Sequence, residues 1–282
     1  MTVDESLRRG EALLRAGPHP ERARRDAELL LAHALRWERA RLLAHYDDEI
    51  PASKSAFFDG HLARRAAGEP VQYILGETEF YGLAFRVVPD VLIPRPETEH
   101  VVETVIELSS RFSHPRIVDV GCGSGAIAVA LAHSLPGARV TATDISAGAL
   151  AIARENAARN GVDGRIRFLQ GDLLELVAGE RFELIVSNPP YVANADRKTL
   201  AAEVREHEPA EALFAGEDGM EVIRRLIPPA CKALVPGGFL VLEIGHDQST
   251  VVGDLLSEAG FEEISFVPDL QGIPRVACAQ RP

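Results

Sequence analysis

Hydrophobic positions follow one rhythm before residue 70 and another after residue 96. Residues 1–70 carry apolar side chains at helical spacing with no strand-like run. A first helix opens on the capping-box pattern Thr2 to Glu5 and stops at Gly17-Pro18; a second runs through ERARRDAELLLAHALRW; a third occupies ASKSAFFDGHLARRAAG and stops before Pro70. ETEFYGLAFRVVP then offers two short β-rich runs around Gly82, a predicted hairpin. From Pro96 onward short apolar runs alternate with helical segments: RIVDV and AIAVALAHSL, RVTATD and SAGALAIARENAARN, RIRFLQ, FELIVS, then MEVIRRLIPPACKAL and FLVLEI. Strand and helix in alternation predict a doubly wound α/β sheet, which binds ligands at the carboxyl ends of its strands. The expected organisation is a helical domain over 1–72, a hairpin linker over 73–95 and an α/β domain over 96–282.

Composition narrows the class. The chain has 282 residues, 46% of them hydrophobic, enough for a substantial core. No apolar run is long enough to cross a bilayer, and Asp4, Glu5 and Glu11 stand where a targeting peptide avoids acids, so a cytoplasmic protein without a membrane partner is expected. Cys122, Cys231 and Cys278 lie far apart, without the spacing of a disulfide framework or a zinc site. The net charge is −12, and all the excess lies downstream of residue 75. That distribution argues against broad contact with phosphate backbones, leaving a local basic face on the Arg-rich N-terminal segment open.

Two loops carry candidate chemistry. DVGCGSGA follows the first strand of the α/β part and leads into a helix. Its glycines permit positive φ and close approach of a ligand to the backbone, although a tight strand-to-helix turn would use them too. Asp144 ends the next strand, 23 residues after Gly121, where a carboxylate can hold both hydroxyls of a ribose. The loop reads DxGxGxG, with Asp119 ahead of it. This arrangement resembles the class I S-adenosylmethionine-dependent methyltransferases. The resemblance implies a Rossmann-like sheet that binds S-adenosyl-L-methionine: Gly121, Cys122, Gly123, Ser124 and Gly125 at the methionine part, Asp144 at the ribose, Asp172 and Leu173 at the adenine. Asp172 reads equally well as a turn or helix-cap aspartate.

The second loop is SNPPYV, Ser187 to Val192. Two prolines remove two backbone donors and fix two φ angles, so the chain leaves the strand FELIV stiffly. The Asn188 side-chain oxygen and a backbone carbonyl of Pro189-Pro190 can each accept one hydrogen from a planar NH2, aiming its nitrogen at an electrophilic methyl group, with Tyr191 as an aromatic wall. The plain alternative is a structural turn with a buried tyrosine. NPPY occurs in methyltransferases of nucleic-acid adenine N6 and in those of a glutamine amide.

The flanking segments LIPRPETEHVVE, IVSNPPYV, VREHEPAEALFAGEDGME and LVLEIGHDQ resemble the peptide chain release factor glutamine N5-methyltransferases, over essentially the whole chain. That resemblance implies the glutamine of the Gly-Gly-Gln motif of class I release factors as substrate and no nucleic-acid substrate. It also implies release-factor binding by the N-terminal domain, with Asn188, Pro189, Pro190 and Tyr191 at the substrate amide; a monomer is expected. IPRPETE reads either as a lid edge near the cofactor or as a linker with a helix start. An adenine N6 methyltransferase would want a basic, aromatic-bearing surface, whereas this chain has one Trp, four Tyr and an acidic catalytic region. Against a non-catalytic binding module that retains the cofactor fold, intact Asp144 and NPPY argue that the site has not decayed.

Overall fold

The computed structural model describes residues 1–282. They form two compact units, Met1–Glu77 with Ala201–His207, and Thr78–Leu200 with Glu208–Pro282.

The first unit is helical: α1 (Val3–Arg15), α2 (Ala23–Leu35), α3 (Arg39–Ala44), α4 (Ala52–Ala66) and α5 (Val71–Leu75). The capping box forms: Thr2 Oγ1 accepts the Glu5 amide at 3.2 Å and Glu5 Oε2 accepts the Thr2 amide at 2.8 Å. Val3, Leu7 and Leu14 on one face of α1 join Ala27, Leu30 and Leu31 of α2 and Phe58 and Leu62 of α4 in a single core. Gly10 permits this approach, since a Cβ there would lie 2.9 Å from Phe58 Cζ. The short helices α3 and α5 carry too few turns to show a period in the sequence.

The second unit begins with the hairpin β1 (Glu77–Phe80) and β2 (Leu83–Arg86). Tyr81 and Gly82 both adopt positive φ, 52° and 70°, the geometry of a two-residue turn that matches strand twist. Then follow α6 (Glu99–Ser109), β3 (Arg116–Val120), α7 (Ala126–Ser134), β4 (Arg139–Asp144), α8 (Ala147–Arg159), β5 (Ile166–Gln170) and β6 (Phe182–Ser187). After α9 (Ala202–His207), which groups with the helical unit, come α10 (Glu221–Ala233), β7 (Leu234–Glu243), α11 (Ser249–Glu258), β8 (Glu262–Pro268) and β9 (Pro274–Gln280).

The sheet order is β5-β4-β3-β6-β7-β9-β8. Strands β3 to β7 are parallel, and β9 runs antiparallel between β7 and β8. A hydrophobic core lies on each face, one built on α7 with Leu131 and Val129, the other on α10 with Ile223 and Leu226. This is the expected Rossmann-like, doubly wound sheet. Strand order reverses at β3, whose neighbours are β4 and β6, so the crevice beyond its carboxyl end is where the topology places a ligand. No helix is long and apolar enough to cross a membrane.

Candidate active site

A cavity of about 420 Å³ opens at that switch point, lined entirely by the second unit. Its floor is the loop after β3, with Gly121, Cys122, Gly123 and Ser124; one wall is Asp144 to Ser146 after β4, with Asp172 and Leu173 after β5; the other holds Asn188 and Pro190 after β6. Gly121 and Gly123 have positive φ, 72° and 54°, and a Cβ built on either would meet no atom within 4 Å, so their backbone lies open to a ligand. Gly125 does not line the cavity. Its φ is 81° and a Cβ would come 3.0 Å from that of Ala153, so it serves the packing of α7 on α8. The loop is pinned from behind by the fully buried Asn156, whose Nδ2 donates to Ser124 O at 2.8 Å and to Arg86 O at 3.0 Å.

Two carboxylates support the loop. Asp144 Oδ2 accepts the Gly123 amide and Oδ1 the Ser146 amide, each at 2.8 Å; burial raises its pKa, against the pull of those amides. Asp119 is fully buried beneath the loop. Its Oδ2 accepts the Ala128 amide at 3.0 Å in the first turn of α7, while Oδ1 has no partner. Burial pushes its pKa up to about 7, opposed by that amide and assisted by Asp144. Cys122 is buried and its thiol is raised well above its usual range by burial and by Asp119, so it stays protonated and fills space.

At the wall after β5, Leu173 has φ of 49°, unusual for a residue with a Cβ, and Thr143 Oγ1 donates to its carbonyl at 3.0 Å. Asp172 forms an ion pair with Arg225 of α10, itself a cavity residue that sequence pattern gave no reason to select.

The NPPY corner is held more tightly than its prolines alone require. Val192 exchanges backbone hydrogen bonds with Leu213 and Ala215 at 2.9 and 3.0 Å, and Gly219, at φ of 73°, approaches so closely that a Cβ would lie 2.3 Å from Tyr191 O. Gln248 Nε2 donates to Tyr191 O at 3.0 Å. The segments VREHEPAEALFAGEDGME and LVLEIGHDQ thus supply the mould for the corner. Asn188 Nδ2 donates to Thr98 Oγ1 at 3.2 Å, Thr98 Oγ1 donates to Glu243 Oε2 at 2.6 Å, and the Tyr191 hydroxyl donates to Glu243 Oε1 at 3.2 Å. Tyr191 and Pro189 do not line the cavity. Rather than forming an aromatic wall, the Tyr191 ring packs on the α10-side core, because a phenol this deep requires a partner for its hydroxyl and finds it in Glu243. Burial and the Glu243 charge raise the Tyr191 pKa, so it remains a donor.

IPRPETE is both a wall and a helix start. Pro94 and Thr98 line the cavity, Arg95 Nη2 bonds Glu208 Oε1 at 2.5 Å, and Pro96 opens a turn over Pro96–Thr98 that runs into α6.

Comparison with known proteins gives two family matches along the chain. Residues 5–76 match the PrmC N-terminal domain family, and residues 104–217 the methyltransferase small domain family. The Release factor glutamine methyltransferase of Koribacter versatilis is 43% identical over 283 residues, covering 100% of this chain and 99% of that protein. The protein of the same name from Moorella thermoacetica is 45% identical over 283 residues, with the same coverage of both chains. Among solved structures, the T. thermophilus 16S rRNA N2 G1207 methyltransferase in complex with AdoMet and guanosine superposes with a TM-score of 0.55. That likeness covers 73% of this chain and 50% of that one at 19% identity, a likeness of fold.

Proposed function

The chain belongs to the release factor glutamine methyltransferase family, and from that premise we propose that the cavity is where it transfers a methyl group from S-adenosyl-L-methionine to the side-chain amide nitrogen of a release-factor glutamine, that of the Gly-Gly-Gln motif. The observation that carries the reading is the meeting, in one cavity, of an open glycine backbone, Asp144 and Asn188. The residues present fit the cofactor: the cleft is large enough for a nucleoside with an amino-acid arm, Gly121 and Gly123 offer bare backbone, and Asp144 has acceptor capacity beyond the two amides it holds. Asp144 then holds the ribose hydroxyls, the glycine loop the methionine arm, and Asp172 with Leu173 the adenine.

When bound, the cofactor supplies a methyl group already strongly electrophilic. The chain's own task is therefore placement and proton management. Asn188 Oδ1 accepts from no group of the chain, which leaves it for one hydrogen of the substrate amide; a carbonyl of Pro189-Pro190 takes the other. Holding both hydrogens turns the nitrogen toward the methyl group, opposes delocalisation of its lone pair, and stabilises the positive charge that develops as the bond forms. Neither Tyr191, whose pKa is raised, nor Cys122 offers a base; the proton leaves to water after transfer.

In this reading the helical unit recognises the body of the release factor, and the working unit is a cytoplasmic monomer. Incubation with labelled cofactor and, separately, release factor, RNA and DNA tests the proposal. Label on the release-factor glutamine alone is expected; label on adenine would replace this reading with the nucleic-acid one.

A further inference from the structure

A carboxamide has an acceptor end and a donor end of nearly the same size, and only the acceptor end can take a hydrogen from a substrate amide. An Asn188 turned the wrong way would present its own NH2 to the NH2 it must hold. The chain contains a device that decides between the two orientations. We propose that Glu243 and Thr98 form a polarity relay that fixes the Asn188 carboxamide with its oxygen toward the substrate, Thr98 acting as a positioning residue; this rests on the reading of Asn188 as acceptor for the target amide.

The argument runs inward to outward. Glu243 is the last residue of β7 and 2% exposed. Both its oxygens accept, Oε2 from Thr98 Oγ1 at 2.6 Å and Oε1 from the Tyr191 hydroxyl at 3.2 Å, and in the relay it is the carboxylate, the form that these two donors and the Arg275 charge favour against burial. The shorter contact lies in the range of charge-assisted O–H···O bonds. A threonine hydroxyl owns one hydrogen, and Glu243 takes it. Toward Asn188, therefore, Thr98 Oγ1 can only accept. The end of Asn188 that faces it at 3.2 Å must be the NH2, so Oδ1 is left for the substrate.

Thr98 is itself 3% exposed, so water does not offer the hydroxyl an alternative partner. Burying an acid costs free energy unless it is well bonded, and burial raises the Glu243 pKa against the help of both hydroxyls. An apolar residue would fill the same space more cheaply but could not set the direction of the chain of bonds. The relay also explains why three segments remote in sequence share one site: Thr98 closes the turn of IPRPETE, Asn188 opens NPPY, and Glu243 ends the strand of LVLEIG.

The test uses the full-length enzyme, labelled cofactor and intact release factor. Thr98→Val keeps the shape and removes the hydroxyl; kcat should fall roughly 10- to 100-fold, with KM for release factor and cofactor affinity near those of the wild type. Thr98→Ser restores the hydroxyl and should recover most of the rate. Adding Thr98→Val to Asn188→Ala should cost nothing further, because the hydroxyl acts through a side chain already gone. Should the valine variant fail to fold, Glu243→Gln decides, since an amide no longer dictates which way Thr98 donates: a kcat reduced at least about fivefold with unchanged KM supports the relay. A wild-type kcat in either Thr98→Val or Glu243→Gln, a serine variant as poor as the valine, or additive loss with Asn188→Ala overturns it. Absence of glutamine methylation by the wild-type enzyme would instead remove the underlying reading.

Discussion

Asp144 Oδ2 holds the Gly123 amide at 2.8 Å, tying the end of β4 to the glycine loop that follows its neighbour β3. The residue assigned to the ribose is therefore also a brace for the loop assigned to the methionine arm. Asp144→Ala removes both roles at once. Charge-assisted hydrogen bonds are worth about 1.5 to 3 kcal/mol each, so cofactor affinity should fall by at least tenfold while the sheet stays folded. Titration calorimetry with the cofactor checks this; an unchanged affinity in the folded variant would put the ribose elsewhere.

For Asn188, replacement by alanine should lower kcat by about two to four orders of magnitude, as loss of positioning and of transition-state stabilisation does. From the sequence alone Asn188→Asp looks milder, because a carboxylate still accepts. Contact with Thr98 changes that expectation. The aspartate would set a second carboxylate against a hydroxyl whose one hydrogen already serves Glu243 at 2.6 Å. Asn188→Asp should thus be about as poor as Asn188→Ala in single-turnover methylation; an aspartate variant close to wild type would mean the NH2 half of Asn188 is dispensable.

The reach of sequence reasoning follows the range of the interactions involved. The alternating strands and helices, the hairpin at Gly82, the glycine loop, Asp144 and NPPY were legible because each is written in a few consecutive residues with a backbone consequence. Thr98 and Glu243 were not, since they are 145 positions apart and meet only through the folded sheet. Strands β8 and β9 escaped for a related reason. β8 is an edge strand with no fully buried position, so its hydrophobic pattern is weak, and β9 inserts between β7 and β8 by a long-range antiparallel pairing. Pro228 and Pro229 would ordinarily end a helix. Here α10 continues through them, with Leu226, Ile227 and Ala230 buried around the break.

Asp119 makes stability depend on pH in a direction opposite to a salt-bridged acid. Its folded pKa, pushed to about 7 chiefly by burial, exceeds the ordinary value of 3.8, so the folded state binds the extra proton. Its favourable contribution is fully present below the unfolded pKa and is lost as pH rises from about 4 to about 7. The whole window amounts to a few kcal/mol, or several degrees of thermal midpoint. Asp119→Asn keeps the acceptor for Ala128 and carries no charge to bury. Without cofactor, its midpoint should exceed that of the wild type at pH 8, and the gap should shrink toward pH 5. A gap independent of pH would show that Asp119 does not titrate in this range.

The last prediction concerns the helical unit. Arg65 is 2% exposed and donates from Nε to Asp26 Oδ2 at 2.7 Å and from Nη1 to Glu203 Oε2 at 2.8 Å. Asp26 lies in α2, Arg65 in α4 and Glu203 in α9, so this buried guanidinium, with Arg22 Nη1 donating to Glu203 Oε1 at 3.0 Å, ties the segment Ala201–His207 into a unit otherwise built from residues 1–77. Arg65→Ala leaves two carboxylates facing each other with little water, a loss of about 3–5 kcal/mol for a buried pair broken from one side. A lysine cannot replace the fork, because a single ammonium does not reproduce the planar spread of donors. Hydrogen exchange should therefore show α2, α4 and Ala201–His207 losing protection together while β3 to β6 keep theirs. If the helical unit recognises the release factor, KM for that substrate should rise while cofactor affinity holds. Unchanged protection in Ala201–His207 would mean that the more exposed pair of Arg22 with Glu203, rather than Arg65, holds the segment.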